Sequence, residues 1–493
     1  VGRVPTNGAD ASTERARRAS FWLDDLVVSG LDELRPRPSL TTDLHVDVCL
    51  VGGGLTALWT AYSLAKADPS LRIAVLEREI AGFGASGRNG GWCSALFPRS
   101  TASLERTHGR DAAVAMRRAM IDTVDEVGRV AAAEGIDCDF VRGGTVLFAR
   151  SAVQDVAARA EVDEATRFGV DRLEYWNADE VGRRFGVRGI AGHETSAAFD
   201  PACARVHPGK LVRGLARVVE SLGVLLFERT EVLDWTAGQV RFRALGDGGG
   251  SGVDDGTAGP HGTVRARHVI IATEGYGPAL PRVRRRILPL YSLMIATEPL
   301  PESVWRDIGI EHGQTFSDYR HLLVYGQRTA DDRFAFGGRG AAYHWGSAVS
   351  PDYERVDRVF AHLRNALDDL FPAARDARVT HRWGGPLGVA RDWHATASYN
   401  PKTGVGFAGG YVGDGLSTTN LAGRTLADLV LGCDSALTRL PWTNHRSPLW
   451  EPEPFRFAGA NLGLLGTTLA DVEERVTHRP SLIARAIGPL VGH

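Results

Sequence analysis

Two periods of apolar and polar positions alternate along the chain. Residues 45–51 (HVDVCLV) are rich in β-branched and apolar side chains, as a buried strand requires, and Gly52-Gly53-Gly54 follows as a tight turn. From 55 to 67 (LTALWTAYSLAKA) the period becomes that of a helix, with Leu55, Leu58, Tyr62 and Ala65 on one face, and 71–77 (LRIAVLE) reads as a second strand. Together they predict a βαβ unit of about thirty residues with a right-handed crossover. Helix-period stretches dominate 105–190, broken by a strand at 144–148. An amphipathic helix at 210–222 and a strand at 224–228 follow. Further strands are expected at 239–244, 263–273, 287–297, 333–338 and 404–409, and helices at 356–370, 417–431 and 464–475. Residues 1–20 read as a loosely ordered polar arm and 21–34 as a helix lying on the surface of the body. The low-complexity run 246–262 (GDGGGSGVDDGTAGPHG) reads as a flexible excursion between two strands. No repeat recurs at solenoid or propeller spacing.

Composition narrows the class. The 493 residues are 43% hydrophobic and 24% charged, which excludes bulk disorder and suggests two or three domains. A formal net charge of −2 removes the electrostatic case for a nucleic-acid binder. No run approaches the ~20 apolar residues of a membrane span. Arg17-Arg18 ahead of Phe21-Trp22-Leu23 faintly resembles an export signal, but Asp24 and Asp25 interrupt the apolar segment. The five cysteines (49, 93, 138, 203 and 433) are odd in number and far apart, and none forms C-x-x-C. That pattern indicates neither a disulfide framework nor a zinc site, and a reduced cytoplasmic protein is the expectation.

Gly52-x-Gly54-x-x-Ala57 stands where a dinucleotide cradle must stand, between a strand and a helix. Gly52 permits the turn, Gly54 lets a pyrophosphate approach the backbone, and Ala57 is small enough for the helix to pack on the sheet. The N–H groups around Leu55 and Thr56 are expected to face the phosphates at the helix N-terminus. Glu77 ends the second strand, where its carboxylate can take both hydroxyls of an adenosine ribose.

The next segment distinguishes dinucleotides. Gly84-Ala85-Ser86-Gly87-Arg88-Asn89-Gly90-Gly91 follows almost at once, where a nicotinamide enzyme would place a helix. A glycine-dense loop suggests backbone running close along an extended flat ligand. With this loop, the chain resembles the D-amino-acid-oxidase-like family of FAD enzymes, closest to its γ-glutamylputrescine oxidase-like and glycine/sarcosine oxidase branch. His207-Pro208-Gly209-Lys210-Leu211 with Thr230-Glu231-Val232, then Val269–Thr273, then Gly409–Leu416 running into Leu421–Arg424, are similar to the family's later FAD segments. The resemblance implies FAD, held noncovalently. Its expected contacts are Gly52, Gly54, Leu55, Thr56, Ala57, Glu77, Arg78, Gly84, Ala85, Ser86, Arg88, Asn89, Gly90, Gly91, Val232, Ala272, Thr273, Gly385, Gly413, Gly415, Leu416 and Ser417. Cys93, two residues past the loop, raises a covalent link, but no attachment sequence matches. The N-terminus of the 417–431 helix would offer N–H groups to the reduced ring, with Asp414 capping the preceding turn.

The resemblance further implies oxidation of a carbon bearing an amine, with hydride passing to the flavin and the resulting imine hydrolysed by water. The substrate would be a small amine or amino acid, and the final acceptor O2 (giving H2O2) or another acceptor. Some relatives place a lysine beside the flavin, whereas this chain has none between Lys210 and Lys402. Arg339, His381 and Trp383 are the candidate pocket residues, with Arg320, Tyr291, His344 and Trp345 behind them. The alternatives are a flavin hydroxylase, for which Gly413-Asp414-Gly415 offers a loose likeness, and a flavoprotein subunit without turnover.

The expected fold is α/β (α+β mixed): a Rossmann-like FAD-binding domain with a discontinuous substrate domain on a largely antiparallel sheet plus helices. Its expected divisions are an arm (1–43), FAD-binding parts at 44–105, 196–285 and 381–439, substrate parts at 106–195 and 286–380, and an extension at 440–493. The sequence leaves the oligomeric state open.

Overall fold

The first strand, Leu44–Val51, carries the architecture. It pairs in parallel with Ile73–Leu76 on one side and His261–Ile271 on the other. Leu225–Phe227 extends this parallel sheet beyond Ile73–Leu76, and Val405–Gly409 extends it beyond His261–Ile271. Thr396–Asn400 closes one edge antiparallel, while Gln239–Ala244 and Thr230–Thr236 form an antiparallel branch on His261–Ile271. This is a Rossmann-like α/β sheet. The computed structural model describes residues 11–246 and 259–491, so most of the glycine-rich excursion lies outside the described residues.

Helix Leu55–Ala67 follows the glycine turn with the expected bounds, but it is buried nearly all round rather than on one face. It lies between the sheet and the helix Gly415–Leu431. Gly423 permits that crossing, because a Cβ there would stand 2.6 Å from the backbone and Cβ of Trp59. Most side chains of Leu55–Ala67 therefore leave water, with Tyr62 half-buried and Lys66 exposed at its far end.

A second sheet runs Val379–Val389, Leu288–Thr297, Phe334–Ala341, Val324–Arg328, Thr315–Asp318, Thr145–Ala149, Ser196–Asp200, Glu174–Trp176. Every pairing is antiparallel except Thr315–Asp318 with Thr145–Ala149. Helix Asp357–Leu370 covers it over a core that includes Phe148, Phe316, Phe334, Phe336 and Phe371. Two expected divisions shift. Ser196–Asp200 and Val379–Val389 belong to this second sheet, although 196–285 and 381–439 were expected with the first. Val379–Val389 holds a ten-residue register against Leu288–Thr297, including Met294 with Trp383. Its Gly384-Gly385-Pro386 core hides the strand from a reading by propensity.

The N-terminal segment also differs from expectation. Ala11–Arg17 is helical, not a loose arm, while residues 1–10 lie outside the described residues. Phe21–Val28 does not lie on the surface: Phe21, Trp22, Leu23 and Leu26 are buried. Trp22 Nε1 donates to Asn89 O at 2.7 Å, and Ser20 Oγ donates to Gly87 O at 2.7 Å. The apolar faces of this segment thus clamp the glycine loop to the second sheet. Among the described residues, no helix is long and apolar enough to cross a membrane.

Candidate active site

A cavity of about 1080 Å³ lies between the two sheets. Its wall begins at Gly52, Gly53, Gly54, Leu55 and Thr56. It continues through Glu77 and Arg78, then Gly84, Ala85, Ser86, Arg88 and Asn89. Val232, Ala272 and Thr273 line one end, and Trp383, Gly413, Gly415 and Leu416 line the other. Chain segments hundreds of residues apart therefore share one wall.

Local geometry explains the glycines. Gly52 has φ +103°, and a Cβ there would stand 2.7 Å from Ala272 O. At Gly54 a Cβ would meet Ser86 Oγ at 2.9 Å. Gly54 is the N-cap of Leu55–Ala67 without a side-chain cap, but Ser86 Oγ takes the Leu55 N–H at 2.9 Å. That N–H is engaged within the protein rather than left for a phosphate as expected.

Glu77 lies half-buried at the wall, accepting the N–H groups of Gly53 and, at 2.9 Å, Glu79. Burial pushes its carboxyl up to about 7. Thr273 Oγ1 is buried at the same wall with no hydrogen-bond partner among the described residues. A carboxylate with unused lone pairs, an orphaned hydroxyl and side-chain-free glycines suit a ligand rich in hydroxyl and phosphate oxygens.

Other candidates lie off this wall. Ala57 is buried in the helix packing. At Gly90 a Cβ would meet the Tyr325 ring at 2.5 Å, and Gly91 (φ +70°) faces Gln327 and Val206 O. Gly385 backs onto Arg88, and Ser417 Oγ donates to Ser94 O. His381 faces Asp24 of the N-terminal helix at 3.1 Å. Arg339 donates from Nη2 to Val412 O at 2.9 Å, and burial lowers its pKa. Arg320 pairs with Asp318, Tyr291 takes the Ser350 N–H at 3.3 Å, and His344 stacks on Tyr353. Trp345 is exposed. Cys93 is buried in the strand Trp92–Ser94, off the cavity wall, with its thiol pushed well above the ordinary range by burial.

Asp414 corrects the capping expectation. It occupies the N-cap of Gly415–Leu431, yet its side chain makes no cap hydrogen bond. Burial pushes it up to about 6, while the Arg339 charge pulls the other way.

The wall also contains residues that pattern reading missed. Glu274 accepts the N–H groups of Gly410 at 2.9 Å and Tyr411 at 3.1 Å, and burial pushes it up to about 7. It directly follows Ala272-Thr273, so the signal was adjacent. Residues 346–349, 351–352 and 354–355 line the cavity with no sequence signal at all; there Glu354 pairs with Arg88 at 2.7 Å. Arg15 of the helix Ala11–Arg17, with Arg18 just after it, also lines the wall.

This fold and cavity define a Rossmann-like protein with a cradle suited to a dinucleotide. The chain belongs to the FAD dependent oxidoreductase (DAO) family, whose model matches residues 47–429. It is an FAD-dependent oxidoreductase, with FAD as cofactor. It is 29% identical over 413 residues to the probable oxidoreductase OrdL of Haemophilus influenzae, covering 81% of this chain and 86% of that protein. It is 30% identical over 408 residues to the gamma-glutamylputrescine oxidoreductase of Escherichia coli, covering 80% and 86%. Among solved structures, glycine oxidase from Geobacillus kaustophilus shares the fold with a TM-score of 0.63 at 21% identity, covering 82% of this chain and all of that one. L-proline dehydrogenase from P. horikoshii gives 0.63 at 16% identity, covering 83% and 96%.

Proposed function

We propose that the enzyme oxidises the C–N bond of a small amine or amino acid to an imine, which water hydrolyses to a carbonyl compound and an amine or ammonia. The observation that carries this reading is the single wall joining the Gly52–Thr56 turn to the start of Gly415–Leu431. The similarity to a gamma-glutamylputrescine oxidoreductase supports the substrate class. In this reading the first sheet holds the cofactor and the second forms the substrate side.

Gly52, Gly54 and Thr56, with Ala272 and Thr273 beside them, would hold the pyrophosphate. Glu77 would take the ribose hydroxyls, Val232 and Arg78 would flank the adenosine, and the lining residues of Gly84–Asn89 would hold the flavin. Gly413, Gly415 and Leu416, at the start of the closing helix, would offer its N-terminal dipole to the negative charge of the reduced cofactor. FAD supplies, when bound, an acceptor for two electrons and the transferred hydrogen. Trp383, 3% exposed, walls the space left for substrate and excludes water there. The substrate reacts as its neutral amine, so the chain needs no strong base. Arg339 and His381 do not line this cavity. The buried, weakly acidic Cys93 supports noncovalent attachment, and the five free cysteines support a reducing, cytoplasmic setting.

The test is anaerobic mixing of the yellow protein with primary and secondary amines, amino acids and polyamines. Bleaching of the visible flavin band by one class names the substrate, and admitting air shows whether O2 takes the electrons. NADPH consumption without bleaching by any amine would replace this reading with a hydroxylase.

A further inference from the structure

The C-terminal extension leaves an apolar stripe uncovered. In helix Phe455–Thr477, Phe455, Leu462, Leu465, Leu469, Val472 and Val476 are between 44% and 73% exposed. With Ala458 between the first two, they recur at alternating spacings of three and four, the a/d seam of a helix that pairs with another helix. The opposite side of the same helix is committed to the body. Arg456, Gly463 and Ala470, spaced by seven, are buried. Asn461 exchanges two hydrogen bonds of 3.1 Å with the Tyr343 backbone, and Asp471 takes the N–H groups of His321 and Leu322. Gly466 faces Ile487 of the next helix. The seam is therefore held rigidly toward solvent.

Its chemistry selects the occupant. Asp471, Glu473 and Glu474 all spend their carboxylates on neighbours within the chain. Of the polar residues on one flank, Asn461 is held by Tyr343, which leaves Thr468 and Arg475 exposed. Exposed basic side chains gather only at the seam's C-terminal end, at Arg475, Arg479 and Arg485, rather than along its length as on a helix drawn to anionic lipid, and no alternating charge marks an unlike partner. The seam does complement itself. A two-fold axis near Thr467 sets Leu465 against Leu469 of a second copy, Leu462 against Val472, and Ala458 against Val476. The same axis sets Arg475 beside Asn461 of the second copy, on one flank, so no like charges meet across the pair. The exposed area of the seam with Phe457 and Leu482 is on the order of 800 Å² per copy, what a standard interface takes from each partner. We propose that Phe455–Thr477 is the interface of a two-fold dimer of this chain, formed as an antiparallel helix pair.

Sedimentation velocity and light scattering on the FAD-loaded full chain test this. The expected mass is twice 53.1 kDa. Leu465→Glu/Leu469→Glu is expected to weaken the dimer by roughly a hundredfold or more, while its flavin spectrum, matching that of the wild type, shows that the fold is intact. In a Cys433→Ser background, mixing Leu465→Cys and Leu469→Cys chains under diamide should give the mixed disulfide dimer in preference to either self-dimer. A wild-type monomer at tens of micromolar overturns the proposal, as does a dimer that survives the double variant. Preferred self-disulfides would overturn the antiparallel register. A monomer that sediments with lipid vesicles through this face would assign the seam to a membrane surface instead.

Discussion

The hydroxyls of Thr56 and Tyr411 lie 3.0 Å apart, joining segments 355 residues distant in the chain. Thr56 opens the first βα helix, and Tyr411 belongs to the turn ahead of the closing helix. Glu274, just past the strand His261–Ile271, ties the same turn down through the Gly410 and Tyr411 N–H groups. The cavity wall is thus locked where its separated pieces meet, and that lock is open to measurement.

Tyr411→Phe removes one buried hydrogen bond of about 1 kcal/mol. FAD titration of the apoprotein should show binding weakened about fivefold, since 1.4 kcal/mol is tenfold. Thr56→Ala combined with it should cost less than the two single changes added together, because they remove the same bond. Full additivity would show that the two hydroxyls act separately.

Gly54→Asp places a carboxylate where even a Cβ meets Ser86 Oγ at 2.9 Å, on the path proposed for the pyrophosphate. The purified variant is expected to be colourless with its fold retained by circular dichroism. A variant as yellow as the wild type would contradict the assignment of the cradle.

Glu274 and Glu77 give the apoprotein a pH dependence of definite sign. Each is pushed from an ordinary 4.5 up to about 7, so the folded state holds these protons more tightly than the unfolded state. Their contribution is fully present below pH 4.5 and is lost as pH rises through 7. Glu274→Gln should flatten the fall in Tm across that window, removing a contribution on the order of 2–3 kcal/mol. An unchanged slope would mean that Glu274 ionises normally.

Arg88 and Glu354 form a buried pair, 3% and 14% exposed. Arg88 also donates to Phe83 O and Gly384 O, so Glu354→Gln leaves the guanidinium with partners. Arg88→Ala leaves a buried carboxylate without its cation and is expected to cost about 3–5 kcal/mol in urea unfolding, more than Glu354→Gln. The reverse order would show that Glu354, not Arg88, anchors the segment.

Acid denaturation of the wild type should release all flavin into the supernatant, and Cys93→Ser should behave identically. Flavin that stays with the precipitated wild type but not with the variant would establish a Cys93 link.

Much of this was legible in the sequence because it depends on short-range chemistry. A strand that must be apolar, a turn that must be glycine and a helix that must begin at once leave a local pattern, so residues 45–77 and 417–431 read correctly. The wall residues 346–349, 351–352 and 354–355 left no pattern, since a wall of irregular backbone needs no periodic side chains. Asp414 misled for a related reason. Its position before a helix is a capping position, but whether the carboxylate turns inward to cap or faces Arg339 depends on a strand some seventy residues earlier. The strand Val379–Val389 was hidden by glycines that the crowded second sheet requires.

The amino-acid order alone determined the βαβ unit, the glycine cradle with its acid, and the family these identify, because each arises from neighbours within a few turns of chain. Only the tertiary structure decided which candidates reach the cavity, that Glu274 and Glu354 belong there, and that one helix keeps a bare seam. Those outcomes depend on which distant side chains exclude water from one another, and solvent exclusion is a property of the packed whole.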